Sequence, residues 1–466
     1  MLTAAPTDVT LPEPELLRRF DVPGPRYTSY PTADRFVEAF DAAAHAQWLA
    51  RRGQVPAAPL SLYVHIPFCN TVCYYCACNK VVTRDHGRAA DYLQALAQEI
   101  ALVCRHLTGV RRVEQLHLGG GTPSFLTIEQ LQQLMALLAG HFELDAARGE
   151  FSIEVDPRSC GPQKVRALAQ LGFNRISVGV QDFEPAVQRA VNRLQSFETT
   201  AATIDAARAA GFRSINLDLI YGLPGQSRAT FARTLDRVLA LAPERIALYH
   251  YAHLPERFKP QRRIDARLLP SPQEKMGIMR DAIVRLTAAG YHYIGMDHFA
   301  KASDDLARAQ MTGRLHRNFQ GYSTRPECDL LGLGVSAISK IGPTYAQNAR
   351  ELPEYYDRLK NGLLPTARGV QLDRDDLARR AVIMALMCHF RVSKEAIETA
   401  HLLNFDDYFA RELAALQAFV EAGLVTVDAE WISVTAKGKL LVRAIAMVFD
   451  RYLQQDQRAR RYSRII

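Results

Sequence analysis

Between residues 60 and 300, six short apolar runs alternate with longer amphipathic ones, and this alternation constrains the fold more than any other feature of the chain. Leu60–Phe68, Val113–Leu118, Phe151–Val155, Arg175–Val180, Ile215–Tyr221 and Ile246–Tyr251 are rich in β-branched and aromatic residues and read as strands. Ala89–His106, Ile128–Leu138, Gln163–Leu171, Thr199–Ala210 and Ala229–Leu241 carry the apolar spacing of helices. Repeated strand–helix units predict an α/β fold on a parallel sheet. Six units are too few for a closed eight-unit barrel, so the expectation is a partial (β/α)6 barrel. In such folds ligands bind at the carboxyl ends of the strands.

A chain of 466 residues with 48% hydrophobic content predicts two or three structural units. Residues 1–58 form an N-terminal extension centred on PGPRYTSYPT, where Pro23, Pro25 and Pro31 exclude a regular helix. That extension is either a strap packed on the surface or a segment lying over the active site. Residues 59–300 form the barrel, 301–365 a connecting or barrel-completing segment, and 366–466 a mostly helical C-terminal domain. In the last, Asp375–Phe390 and Asp406–Ala422 read as helices, LVTVDAEWISVT as a hairpin, and Ala436–Leu453 as a final helix. Helices with a β-wing resemble a winged helix. The final helix is apolar (LLVRAIAMVF), which favours packing over nucleic-acid binding.

No apolar run approaches the roughly 20 residues of a membrane span. The opening MLTAAPTDVTLPEPELLRRF lacks the basic-then-apolar pattern of a secretory leader, so a cytoplasmic protein is expected. The net charge of +8, from 57 Lys plus Arg against 49 Asp plus Glu, is spread along the chain, with clusters at Arg262–Arg263 and Arg458–Arg461. It suits a solvated basic surface, and its sign is compatible with an acidic small ligand.

The chemistry concentrates in HIPFCNTVCYYCACNK, where Cys69, Cys73 and Cys76 have C-x3-C-x2-C spacing. Three thiolates on one loop can hold three irons of a [4Fe–4S] cubane and leave the fourth open to a small molecule. A structural zinc site usually pairs two C-x2-C knuckles, and only one is present. By counting alone, Cys78 is a possible fourth ligand. Gly119, Gly120 and Gly121 follow the second strand and permit close backbone approach, although such a run can also be a simple tight turn. Glu154 and Asp156 end the third strand two residues apart, and Asp156 is expected to cap the turn before Pro157. Asp218 lies among apolar neighbours, where an isolated carboxylate is costly and needs a partner. Arg193 can clasp a carboxylate with two parallel hydrogen bonds. His65, inside a strand, is expected to be packed and hydrogen-bonded rather than a ligand. Cys104, Cys160, Cys328 and Cys388 read as ordinary buried thiols.

The cysteine loop resembles the signature of the radical S-adenosylmethionine (SAM) superfamily. Reading outward, RYTSYPTADRF, YVHIPFC, LGGGTPSFL, IEVDPR, GVQDF, VNR, NLDLIYGLPGQ, YAHLPERFKPQRRID, RNFQGYST, LGLGVSAIS and VTAKGKLLVRAIAMVFDRYL resemble the oxygen-independent coproporphyrinogen III oxidases, in order, from about Pro23 to Leu453. The resemblance implies a radical SAM barrel in which Cys69, Cys73 and Cys76 hold a [4Fe–4S] cluster. Cys78 would be important but non-ligating. It implies that Tyr63, Gly120, Gly121, Thr122, Glu154 and Ile338 contact a SAM on the open iron. Gln181, Arg193, Asp218 and Ala252 would hold a second SAM. Tyr75 and Ala77, where Phe and Gly are common, would lie beside that second cofactor. Phe319 and Gln320 match a segment near the active site.

The implied reaction is removal of CO2 from two propionates of coproporphyrinogen III through a 5′-deoxyadenosyl radical, giving protoporphyrinogen IX for haem biosynthesis. The substrate's carboxylates would need basic partners, with Arg26, Arg262 and Arg263 as candidates. A monomer served by an electron donor such as flavodoxin or ferredoxin is also implied. The alternatives are a haem-binding chaperone of the same superfamily and another tetrapyrrole-acting radical SAM protein. RNFQGYS, without His before Asn318 and without Trp, departs from the chaperone pattern.

Overall fold

The computed structural model describes residues 9–54, 58–326, 328–455 and 462; the opening eight residues and the basic cluster at 458–461 lie outside the described residues. The chain packs as two compact units, one of Phe36–Ala282 with Glu327–Gln371, the other of Met1–Arg35, Ile283–Pro326 and Leu372–Ile466.

The larger unit is built on six parallel strands, β1 (Leu60–Ile66), β2 (Arg112–Gly120), β3 (Glu150–Val155), β4 (Arg175–Gln181), β5 (Ser214–Tyr221) and β6 (Arg245–His250). They lie side by side in sequence order. The crossovers carry α1 (Gly87–His106), α2 (Ile128–Ala139), α3 (Pro162–Gln170), α4 (Phe197–Ala209) and α5 (Arg228–Leu241). Each element falls within about two residues of its expected place. Thr127 and Ser227 start α2 and α5 with reciprocal capping boxes, satisfying backbone donors that a helix start leaves free.

Beyond β1 the sheet continues with β7 (Asp329–Leu333), parallel to it, then β8 (Ile338–Ile341), β9 (Thr344–Asn348) and β10 (Thr366–Gln371), all antiparallel. Within this unit the order from β6 to β10 is an open path, so the barrel is partial. Alternation sorts the strand faces. In β5, Ile215, Leu217 and Leu219 are buried, whereas Asn216 and Asp218 face the other side and keep some exposure. Burying one such aliphatic side chain contributes roughly 1.5–3 kcal/mol, which fixes the polar residues between them on the opposite face.

In the smaller unit the N-terminal segment is a buried strap. Tyr27 and Tyr30 are fully buried, and Tyr27 donates to Asp450 (2.9 Å). The Arg443 guanidinium donates to the carbonyls of Gly24 and Pro25, and Arg26 pairs with Asp297 at 2.7 Å. The C-terminal part runs helix Arg374–His389, strand Arg391–Ser393, helices Lys394–His401, Phe405–Tyr408 and Ala410–Glu421, and strands Val425–Val427 and Trp431–Val434. Its three strands form one small sheet, the wing of the expected winged-helix arrangement.

Two helices differ from expectation. The one expected over Asp406–Ala422 breaks at Phe409. The one expected over Ala436–Leu453 is three pieces, a 3-10 turn at Lys439–Leu441 and helices at Val442–Met447 and Arg451–Gln455. The cause is Asp450, which is buried and accepts the backbone N–H groups of Tyr452 and Leu453, starting a new helix. Val442, Ala444, Ile445 and Ala446 are buried, as their apolar side chains require, and Arg443 is buried with them. Among the described residues, no helix is long and apolar enough to cross a membrane.

Candidate active site

The cysteine loop leaves β1 at Pro67 and is pinned at its base. Phe68–Cys69 pairs in parallel with Val81–Val82, and the Gly121 N–H donates to the Ile66 carbonyl (2.9 Å). Cys69 and Cys73 are buried, Cys76 is half-buried and Cys78 is exposed; all are free thiols. Cys69 Sγ lies 3.3 Å from the Thr122 hydroxyl. Cys73 Sγ receives Arg193 Nη1 at 3.7 Å and Arg158 Nη2 at 3.8 Å. Lys80 Nζ donates to the carbonyls of Cys76 (3.3 Å) and Cys78 (3.4 Å). A hydrogen bond from the Cys78 thiol holds Cys76 down at about 6 and pushes Cys78 well up, while burial pushes Cys69 up to about 11.

These residues fit a thiolate-held cluster with a small molecule beside it. Two guanidinium groups reach the Cys73 sulfur and hold that corner of the loop in place. A Cβ on Gly121 would come within 2.6 Å of the Pro67 carbonyl oxygen, so only a bare backbone fits against the loop. Among the described residues no three His, Cys, Asp or Glu side chains converge on one metal ion; a cubane asks instead for one thiolate per iron.

Strand register then lines up a polar row. Tyr63 lies opposite His117 and His117 opposite Ser152; Glu154 lies opposite Ser177, Ser177 opposite Asn216, and Gly179 opposite Asp218. The Tyr63 ring stacks on His117 at 5.9 Å, and its hydroxyl meets His65 Nδ1 at 3.0 Å. His65 Nε2 bonds the Asn79 carbonyl (3.0 Å), so both ring nitrogens are engaged, as expected for a packed histidine. His117 bridges Ser152 (2.6 Å) and Glu154 (3.2 Å). Glu154 also accepts the Gly120 N–H at 3.3 Å, and its side chain remains 44% exposed, free for a ligand. Gly120 has φ +117°, and a Cβ there would meet the His65 ring at 2.6 Å, so glycine is required on both counts.

Two acids sit nearby in different settings. Asp156 accepts Arg158 Nη2 at 2.6 Å and Arg193 Nη1 at 3.1 Å. Burial pushes its pKa up, but Arg193 and Arg158 outweigh that and hold it below the usual carboxylate value. It also takes the Arg158 N–H (3.0 Å), the turn-capping role expected of it. Arg193 is buried and already engaged: besides Asp156 it donates to the Gly179 carbonyl at 2.6 Å. Asp218 has the partners it needed, but they are neutral, Ser177 Oγ (2.8 Å) and Asn216 Nδ2 (2.9 Å). Burial, and then the charge of Glu154, raise its pKa to about 6.

Gln181 ends β4 at φ +68°, with its amide nitrogen 3.2 Å from where a Gly179 Cβ would be. Ala252 follows Tyr251, which is buried with Val187, Val191, Leu223 and Ile264 under Tyr74 and Tyr75. The Tyr75 carbonyl accepts Gln261 Nε2 at 3.1 Å, and Ala77 is exposed. Ile338 opens β8, with Gly332 of β7 flat against its backbone. Phe319 and Gln320 belong to the smaller unit, in the turn between strands His316–Asn318 and Gly321–Ser323.

Helix α1 braces two of these segments. The Tyr92 hydroxyl donates to the His65 carbonyl (2.8 Å) and accepts the Val335 N–H (2.9 Å). Glu99 accepts the Gly334 N–H (2.7 Å), Asn348 Nδ2 (2.6 Å) and the Tyr355 hydroxyl (2.6 Å), and its burial raises its pKa to about 7.

Over 97% of its length the chain is 52% identical to the oxygen-independent coproporphyrinogen III oxidase of Pseudomonas aeruginosa, covering 98% of that protein. It is 51% identical to the Escherichia coli protein of the same name at the same coverage. The chain belongs to the oxygen-independent coproporphyrinogen III oxidases. The solved coproporphyrinogen III oxidase of Escherichia coli, described as a radical SAM enzyme, matches with a TM-score of 0.91 and 50% identity over 96% of this chain and 100% of that one. A radical SAM superfamily model matches residues 63–238, and a HemN C-terminal domain model matches 372–441. Membership in this oxidase family gives the partial barrel its name, a radical SAM fold, and implies a [4Fe–4S] cluster with SAM.

Proposed function

We propose that this chain is a haem-biosynthetic oxidoreductase that converts two propionate side chains of coproporphyrinogen III to vinyl groups, giving protoporphyrinogen IX. Each propionate loses one hydrogen atom, CO2 and one further electron. The observation that carries this reading is the meeting of the three-cysteine loop, the glycine turn and the polar row at the carboxyl ends of one parallel sheet, in a chain about half identical throughout to enzymes of that name.

Cys69, Cys73 and Cys76 hold the cluster in this reading. Cluster and SAM, when bound, supply one-electron reduction and hydrogen abstraction. The chain's residues bind and orient. Gly120, Gly121 and Thr122 offer backbone and hydroxyl groups, Glu154 accepts from an ammonium, and Tyr63 and Ile338 supply apolar walls. Asp218, with Gln181 and Ala252, offers a second SAM its place, Asp218 accepting ribose hydroxyls through the lone pairs that Ser177 and Asn216 leave. Arg193 serves that site by fixing Cys73 and Asp156, with its Nε the donor left over. Phe319 and Gln320 are the catalytic candidates that the smaller unit carries. The protein works as a monomer fed by a flavodoxin- or ferredoxin-like donor.

The test is anaerobic turnover of reconstituted, reduced protein with SAM and coproporphyrinogen III, following 5′-deoxyadenosine and the tetrapyrrole by mass spectrometry. Substrate-dependent 5′-deoxyadenosine with the two-vinyl product is expected. SAM cleavage with an unchanged porphyrinogen would reject the substrate, and no product from cluster-loaded protein would reject the enzyme. A second arm is Cys78→Ser. Its iron content should equal that of the parent while turnover is lost; a collapse of iron content would make Cys78 a ligand.

A further inference from the structure

The substrate of that reaction carries four carboxylates, and each basic residue singled out in the sequence already has an interaction partner. Arg26 is paired with Asp297, Arg262 donates to the Pro255 carbonyl (3.0 Å), and the Arg263 guanidinium lies over the Tyr74 ring at 5.4 Å. Lys275 is different. It sits in the first turn of helix Pro272–Ala288 and reaches back to the carboxyl ends of β5 and β6. Gly222, directly after β5, has φ +88°, and a Cβ there would lie 3.3 Å from Lys275 Cε and 3.5 Å from His250 Cδ2. The bare backbone at 222 therefore gives the lysine stem its path beside the last residue of β6.

The ammonium group is half-buried and has no acidic partner among the described residues. Burial lowers its pKa, and no carboxylate acts against that. The acids on its own helix are turned away: Glu274 accepts the Arg228 N–H (2.6 Å) and Asp281 takes the Arg228 guanidinium (2.6 Å). His253 is held low by burial, opposed by Glu256, and then lowered further by Lys275 itself, and its Nδ1 bonds the Tyr251 hydroxyl at 2.8 Å. A partly desolvated cation without a counter-ion is unfavourable, and an arriving anion recovers that cost as a charge-assisted hydrogen bond. The place is the carboxyl end of a parallel sheet, where such folds take their ligands.

We propose that Lys275 is a substrate-binding residue whose ammonium group takes a propionate carboxylate of the porphyrinogen. The assignment rests on the reaction proposed above. A carboxylate could also come from the methionine end of SAM, so the experiment separates the two. Cluster-loaded parent, Lys275→Met, Lys275→Gln and Lys275→Arg proteins are titrated with coproporphyrin III by fluorescence quenching and, separately, with SAM. Lys275→Met and Lys275→Gln should each weaken the tetracarboxylate by about 10-fold or more, the worth of one charge-assisted hydrogen bond. Lys275→Arg should recover most of the affinity, SAM affinity should stay within about twofold, and iron content should match the parent. A merely structural lysine would not show rescue by arginine confined to one ligand. Unchanged porphyrin affinity in Lys275→Met or Lys275→Gln overturns the proposal, as does a loss that falls on SAM instead. A parent protein that binds coproporphyrin III but does not convert the porphyrinogen would sink the proposed reaction and leave the binding result to be read by itself.

Discussion

Asp156 directly follows β3 and Asp218 lies within β5, two strands along the same sheet, yet they are opposite solutions to placing a carboxylate inside a protein. Asp156 is neutralised by two guanidinium groups that also reach Cys73, so its corner is complete before any ligand arrives. Asp218 has only a hydroxyl and an amide for company, and its pKa rises to about 6. The first corner is scaffolding for the cysteine loop; the second is an acceptor left under-satisfied, which is what a hydroxyl-bearing ligand would use.

The largest way to break the contrast is Asp156→Asn. It leaves the buried Arg193 and the more exposed Arg158 without their shared anion and should cost about 3–5 kcal/mol in denaturant unfolding, with iron content falling as Cys73 loses its supports. A loss under about 1 kcal/mol would show the corner is not held by charge. At about pH 4, where the carboxyl is protonated, Asp218→Asn should change stability by less than about 1.5 kcal/mol, because only neutral hydrogen bonds are exchanged there. In the same variant the apparent KM for SAM should rise by about 10-fold or more, since an amide meets ribose hydroxyls with one acceptor fewer. Equal affinity would remove Asp218 from the cofactor site.

The smallest effect is in pH dependence, and its sign differs between the two acids. Asp156 has a lowered pKa, so the stability it contributes is present above the ordinary 3.8 and is lost as pH falls through its folded value. Asp218 has a raised one, so the folded state binds the extra proton and stability falls as pH rises from 3.8 to about 6. Urea midpoints of the parent and Asp218→Asn, compared across that window, should converge at the acid end and separate toward neutrality. Parallel curves would mean that Asp218 does not titrate there.

Much of this site could be read from residue order alone. The strands were legible within about two residues because apolar runs bounded by helical periodicity have few other readings, and Gly120 and His65 behave as their positions require. Other partners went unread. Ser152, Ser177, Asn216 and His117 stand in no motif of their own, although each shares parity with a residue that does: 152 with Glu154, 177 with Gln181, 216 with Asp218, 117 with Gly119. Side chains two apart in a strand share a face, so parity was the usable signal. Arg158 was hidden because its importance comes from Cys73, 85 positions earlier in the chain. The final helix reads as unbroken because apolar spacing does not report a buried aspartate that starts a new turn.

Tyr92 and Glu99 are seven residues apart on α1, two helical turns and about 10.5 Å along its axis. One clamps the end of β1, and the other clamps the bend after β7. The helix is thus a gauge block cut to a fixed length. Most substitutions along its outer face would leave that length alone, but removing one residue between the two would swing them about 100° apart, so that either could be seated and never both. In the history of such a chain, the outward positions between 92 and 99, such as Gln94 and Gln98, should accept many spellings, while the count between the two ends should not change.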